Sequence, residues 1–335
     1  MLARRWGAAK VLAVALMAGA LAIAVGALTF AGGAQAASAF SQQQGDQQGG
    51  AKAGKNSSAG RVVIDGYGRK VTIPAHVNRI VSLAPNLTET VYALGLGDKL
   101  AGDTNDCDKP AAAKLKPHVG QEEDPSLEAI VALRPDLVLA TSVNTAQTVG
   151  ALARLGIPVY TTDPQTVLQT LESVQQIADM AGAKQQGEAL VSQLRQRLDA
   201  LQGRLADRPL AHVLFVIWDD PLMSIGQHTF IADALRWAGA ESVVLSDQDW
   251  PQISMEEVLR LQPEYIVWAA HLEGSRQQLD DLRSRPVWRD LDAVEDGHVV
   301  EVSEEALRPA PGLVDVIEEL AHEMHPNVFR HKTGN

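Results

Sequence analysis

The chain has 335 residues, 46% of them apolar and 21% charged, with a formal net charge of −12. That length exceeds one ordinary core and fits about two lobes of ~100–150 residues, and the balance of residue types excludes a disordered or multi-span chain. The first 36 residues carry Arg4, Arg5 and Lys10 and no acid, so the remainder carries −15; an acidic body excludes nucleic acid and anionic lipid headgroups as natural partners. The single cysteine, Cys107, allows neither an intramolecular disulfide nor a cysteine metal cluster and reads as a small half-buried side chain.

The N-terminus specifies a destination. A basic segment precedes an apolar run from Val11 to about Ala31, which ends in Ala34-Gln35-Ala36, small residues of the kind a signal peptidase reads. The expectation is a signal peptide over 1–36, cleaved after Ala36, and a periplasmic product. The run is also long enough to span a bilayer, so a retained membrane anchor is the alternative. Residues 37–60, rich in Gln, Gly, Ser, Ala and Lys, read as a flexible tether.

Order is expected from Arg61. Val62, Ile64, Val71 and Ile73 flank Gly66 and Gly68, as in a small hairpin. Arg79–Leu83 reads as a short buried strand, and Asn86–Leu94 as a helix stopped by Gly95. A helix opened by Ser126 and running through Leu133, a strand over Leu137–Ala140, a helix over Ala146–Leu155 and a strand at Pro158–Tyr160 come next. Such alternation predicts a parallel α/β lobe.

Leu190, Leu194, Leu198, Leu201 and Leu205 then recur at helical spacing, with Arg195, Arg197, Asp199 and Arg204 opposite them. This predicts one long amphipathic helix ending before Pro209, a rigid connector over 185–208 between lobes at 61–184 and 209–330. Beyond it come a strand over His212–Ile217, a helix over Phe230–Trp237, a strand over Tyr265–Trp268 and a helix over Leu313–Met324. The predicted fold class is therefore α/β: two lobes with short parallel-type sheets, one joining helix, and a ligand cleft between the lobes.

An internal repeat supports two homologous lobes. Residues 126–138 (Ser-Leu-Glu-Ala-Ile-Val-Ala-Leu-Arg-Pro-Asp-Leu-Val) match residues 254–266 (Ser-Met-Glu-Glu-Val-Leu-Arg-Leu-Gln-Pro-Glu-Tyr-Ile) at an offset of 128. Each Ser is placed to cap its helix, each Glu lies in the first turn, and each Pro falls where the helix must stop.

With Arg79-Ile80-Val81-Ser82-Leu83-Ala84-Pro85, Thr88-Glu89, Ala93-Leu94-Gly95-Leu96-Gly97, the two repeat segments and Trp250-Pro251-Gln252-Ile253-Ser254-Met255-Glu256, the chain resembles the binding proteins of iron-siderophore and vitamin B12 importers, over about Arg61 to Pro326. The Trp250–Glu256 string is most similar to the vitamin B12 branch. The resemblance implies a non-enzymatic, monomeric protein that hands a small ligand to the membrane permease of an ABC importer driven by its ATPase. It implies that Glu128 and Glu256 engage arginines of that permease, that Trp250 lines a corrinoid cleft and that Arg308 faces it. The chain departs from the pattern before the first-lobe glutamate, where Glu122 and Glu123 replace an aromatic, and near Asp108-Lys109-Pro110, where another is missing.

No cofactor is expected; the ligand is read as cobalamin or a related corrinoid. Trp218, Met223, Trp250 and Arg308 fall at or near predicted strand ends, where a cleft between such lobes would lie, and Pro85 and Asn86 are read as ligand-binding with them. A corrinoid, large and rich in amides, suits aromatic surface and hydrogen-bonding groups. An iron-siderophore or haem is the alternative; anionic ferric catecholates call for arginine clusters, and the predicted cleft loops offer few arginines. A metal-ion receptor would need about three converging histidines, and of nine only His322 and His325 share helical spacing. No nucleophile elbow, phosphate loop or dinucleotide fingerprint marks an enzyme, and Asp219-Asp220 reads as a solvated loop at the cleft rim.

Overall fold

The computed structural model describes residues 60–269, 282 and 284–329. The expected signal segment lies outside the described residues, as does all of the expected tether except Gly60. Residues 61–64 and 70–73 form a small antiparallel hairpin, β1 (Arg61–Ile64) and β2 (Lys70–Ile73).

Two parallel sheets make up the lobes. The first comprises β3 (Ile80–Ser82), β4 (Leu100–Gly102), β5 (Leu137–Thr141) and β6 (Val159–Thr162), in the order β4-β3-β5-β6. Its helices are α1 (Pro85–Ala93), α2 (Leu127–Ala132) and α3 (Ala146–Arg154). The second comprises β7 (Ala211–Val216), β10 (Ala240–Ser242), β11 (Tyr265–Ala269) and β12 (Val299–Val302), in the order β10-β7-β11-β12. A two-residue hairpin, β8 (Trp218–Asp219) with β9 (Leu222–Met223), comes directly after β7. The helices of this lobe are α6 (Phe230–Trp237), α7 (Met255–Leu261), α8 (Asp292–Glu295), α9 (Leu313–Met324) and α10 (Pro326–Phe329). The strand orders correspond, and both lobes have cores on both sheet faces. Ile80, Leu137, Leu139 and Tyr160 point to one core of the first lobe, while Val81, Val138, Ala140 and Val159 point to the other. This is the period-two division of a sheet buried on both faces.

The lobes are joined by two helices, α4 (Val167–Ala181) and α5 (Lys184–Leu205). The expected connector is α5. Helix α4 is not among the expected elements, although its signals are ordinary: Thr166 caps it, and Gly182 ends it at φ 76°, a left-handed conformation glycine adopts without strain. The two helices run back along each other. Gly187 lies against Ala178, and a Cβ at Gly187 would come within 2.5 Å of the Ala178 Cβ. Val167 and Leu171 of α4 enter the second lobe's core with Leu194, Leu198, Leu201 and Leu205 of α5. Val174, Ile177 and Ala178 enter the first lobe's core. Leu190 and Val191 pack against both. Arg197 then ties α5 to α9, with Nε 3.0 Å from Glu318 Oε1, Nη2 2.6 Å from Glu318 Oε2 and Nη2 2.5 Å from Asp315 Oδ1.

The repeat extends to individual hydrogen bonds. Ser126 Oγ accepts from Ala129 N, and Ser254 Oγ accepts from Glu257 N, both at 3.2 Å. Asp136 N donates to Arg79 O and Glu264 N to His212 O, both at 2.8 Å. The same acids reach back with their carboxylates, Asp136 Oδ2 to Asn78 N and Arg79 N, Glu264 Oε2 to His212 N. Before each proline the chain turns left-handed at a residue that is not glycine, Arg134 at φ 44° and Gln262 at φ 40°. The α region is disfavoured before proline, so the helix must break there.

A left-handed non-glycine conformation costs about 1–2 kcal/mol, and glycine gives back about 0.5–1 kcal/mol through unfolded-chain entropy. Arg134 is exposed, so Arg134→Gly should raise stability by about 0.5 kcal/mol. Urea denaturation monitored by circular dichroism measures this; a lower midpoint would show that the turn carries no strain.

Candidate functional site

A cavity of about 680 Å³ opens between the lobes, within the usual range of small-molecule sites. Its walls are built from the segments at and just beyond the carboxyl ends of the parallel strands, as expected of paired open α/β sheets. Pro85 and Asn86 come after β3, Asp106 and Asp108 after β4, Thr141–Val143 end β5, and Thr162–Gln165 end β6. Facing them, Ile217 comes after β7, Met223 closes β9, Phe230 opens α6, Asp249 and Trp250 come after β10, and Leu307–Pro309 after β12.

The second-lobe wall is largely apolar, with Ile217, Met223, Phe230, Trp250 and Leu307 together. Met223 is buried, and half-buried Trp250 rests on the second lobe's core. The first-lobe wall is polar and is held by buried Asn144. Its Oδ1 accepts from Thr141 N at 2.8 Å, and its Nδ2 donates to Glu122 O at 2.7 Å and Leu83 O at 3.3 Å. One side chain thereby links the ends of two strands and the loop before α2.

Polar contacts cross one side of the cleft. Arg308 Nη1 lies 2.8 Å from Glu89 Oε1 and 3.6 Å from Asp108 Oδ1. Burial raises the pKa of the Glu89 carboxyl, against the opposing influence of Arg308. Lys109 pairs with Glu305, and Asn86 Nδ2 is 3.4 Å from Pro309 O. On the connector side, Asp233 Oδ2 of α6 accepts from Val167 N, the first residue of α4, at 2.8 Å.

Five of the six residues expected at the ligand, Pro85, Asn86, Met223, Trp250 and Arg308, line this cavity. Trp218 does not. It sits on the β8–β9 hairpin with Nε1 donating to Asp220 O at 2.8 Å. Asp219, expected in a solvated loop, is instead gripped by Arg285 through two bonds of 2.8 and 2.9 Å. Cys107 is buried rather than half-buried; Thr88 Oγ1 donates to its Sγ, and burial pushes the thiol up to about 11. His325 bonds Gly239 O and His322 stacks on Phe329. Among the described residues no three His, Cys, Asp or Glu side chains converge as a metal site. Glu128 and Glu256 are exposed in the first turns of α2 and α7.

Phe230, Glu89, Asp163 and Asp249 escaped the sequence reading of the site. Phe230 is legible as the start of a helix, but its place in the wall depends on how α6 meets the cleft. Glu89 stands inside α1, and its partner is 219 residues away.

The chain is similar to several characterised proteins. The vitamin B12-binding protein of Yersinia pestis (strain Pestoides F) is 32% identical over 215 residues, 63% of this chain and 75% of the relative. A periplasmic haem-binding protein from Pseudomonas aeruginosa is 28% identical and superposes with a TM-score of 0.68 over 75% of this chain and 93% of that one. The vitamin B12-binding protein BtuF of Vibrio cholerae shares the fold, at 24% identity and a TM-score of 0.65 over 76% of this chain and 99% of that one. Residues 80–306 match the periplasmic binding protein family, and the chain belongs to it, as a substrate-binding protein and not an enzyme.

Proposed function

We propose that this protein is the exported, monomeric substrate-binding component of an ABC importer and that its cleft takes a corrinoid, cobalamin or a close relative. The observation that carries the ligand reading is the make-up of the two walls. An apolar wall with two aromatic rings and a methionine opposes a wall of hydroxyls, amides and carboxylates. A corrinoid presents a broad apolar macrocycle fringed with amides and matches both walls. The likeness to the Yersinia vitamin B12-binding protein supports the same reading.

Haem is the second reading, supported by the likeness to the Pseudomonas haem-binding protein. Its propionates, like the oxygens of a ferric siderophore, are anionic. Arg308 is the only cationic side chain among the described residues lining the cleft, and it is paired with Glu89 and Asp108. An anionic ligand would have to break those pairs or leave its charge among carboxylates.

The proposal assigns Glu128 and Glu256 to docking on the permease, whose ATPase drives uptake. Each comes two residues after a capping serine at the same place in its lobe, and each is exposed. A two-lobed protein resting on a two-subunit permease requires one such contact per lobe. Charge-assisted contacts of this kind set orientation and encounter rate more than affinity. Delivery from the periplasm rests on the N-terminal signal sequence, whose residues lie outside those described.

Calorimetry with cyanocobalamin tests the ligand. Trp250→Ala should weaken binding by about 1–3 kcal/mol. No heat with cyanocobalamin, set against saturable binding of haemin, would make haem the ligand.

Reversing both acids, Glu128→Arg with Glu256→Arg, should change stability by no more than about 0.5 kcal/mol and should sharply reduce uptake in vesicles carrying the cognate importer. Each single reversal should give a partial loss. Normal transport by the double variant would remove the docking assignment.

A further inference from the structure

Two carboxylates line the cleft from opposite lobes. Asp163 comes directly after β6 in the first lobe, and Asp249 lies on the connection after β10 in the second. Both line the same cavity; burial raises the pKa of the Asp163 carboxyl, and the charge of Asp249 adds to that rise, against hydrogen bonds from Ser142 and Gln165. Beside Asp163, Thr162 is 4% exposed, lines the same wall, and has a buried Oγ1 with no hydrogen-bond partner. A buried hydroxyl left unpartnered is costly, and a ligand group reaching Thr162 Oγ1 would remove that cost.

Among the described residues that line the cleft, acids outnumber bases six to one. Four more carboxylates, Asp106, Asp108, Glu122 and Glu123, line the cleft, and the one arginine among the described lining residues is held by Glu89 and Asp108. A concave site lined by one sign of charge and walled by apolar side chains focuses its field. The lobes cannot simply drift apart to relieve the repulsion, because α4 and α5 are built into both cores.

We propose that Asp163 and Asp249, with the Thr162 hydroxyl beside them, form a cation-recognition pair spanning the cleft, so that the protein prefers a ligand carrying positive charge between the lobes. The inference deepens the corrinoid reading and rests on it. A positive centre between the two carboxylates offsets their mutual repulsion. Among corrinoids this selects the form with a neutral axial ligand on cobalt, which leaves the complex cationic, over the cyano form, in which the anion cancels that charge. No histidine or cysteine is found among the described residues that line the cleft, so neither would displace the axial water of the cationic form and confuse the comparison.

The test is calorimetry of the full-length exported protein at neutral pH with aquocobalamin, cyanocobalamin and haemin. Aquocobalamin and cyanocobalamin differ in one axial ligand and one unit of charge. At low salt aquocobalamin should bind about tenfold more tightly than cyanocobalamin, with the ratio shrinking as salt rises. Asp163→Asn with Asp249→Asn should bring the two affinities to within about twofold, and each single variant should remove part of the preference. Equal affinities in the unmutated protein, or a preference that survives both substitutions, would overturn the cation pair and leave the corrinoid reading standing. Binding of haemin with no binding of either corrinoid would overturn both.

Discussion

The geometry of the cleft depends on one piece of packing, the antiparallel pair of helices α4 and α5. Neither helix belongs to a single lobe. Val167 and Leu171 are buried in the second lobe's core, and one turn further along the same helix Val174, Ile177 and Ala178 are buried in the first. Close approach at Gly187 and Ala178 locks the two helices together, and the Arg197 fork onto Glu318 and Asp315 anchors α5 to α9. Moving one lobe against the other would therefore expose apolar surface from both cores. A cleft held in this way is largely formed before ligand arrives, which lowers the ordering cost of binding.

The two lobes repeat one construction that was visible in the sequence in unusual detail. The match at an offset of 128 already contained the capping serine, the first-turn glutamate and the terminating proline. What it did not disclose is the work of the acid after each proline, whose carboxylate returns to the start of the neighbouring strand. That bond joins residues 52–58 positions apart, and no local pattern encodes it. Helices with strong periodicity were legible to within a residue or two, including Phe230–Trp237 and Leu313–Met324. The edge strands β4, β10 and β12 were not; β4 (Leu-Ala-Gly) and β10 (Ala-Glu-Ser) are short and hold no β-branched or aromatic residue, unlike the equally short β3.

The candidate site was legible to the extent that it sits on predicted strand ends. Met223, Trp250 and Arg308 were picked out there, the last two also by resemblance, and with Pro85 and Asn86 all line the cavity. Trp218 was picked out by the same reasoning, but the β8–β9 hairpin carries it out of the lining. The acidic wall was harder to foresee. Glu122 and Glu123 were noticed only as replacements for an aromatic, yet both line the cleft. Asp163 and Asp249 acquire meaning only when the lobes face each other, and that relation is set by α4, the helix the leucine pattern of α5 does not reveal.

A substrate-binding protein built on this plan should be recovered from its cell with its ligand in place. Native mass spectrometry of the protein purified from its own source tests the central claim most directly, since a corrinoid in the cleft identifies itself by mass and by visible absorbance. The account predicts a one-to-one complex with a corrinoid, on a chain beginning at Ala37. A complex with haem or a ferric siderophore in its place would contradict it.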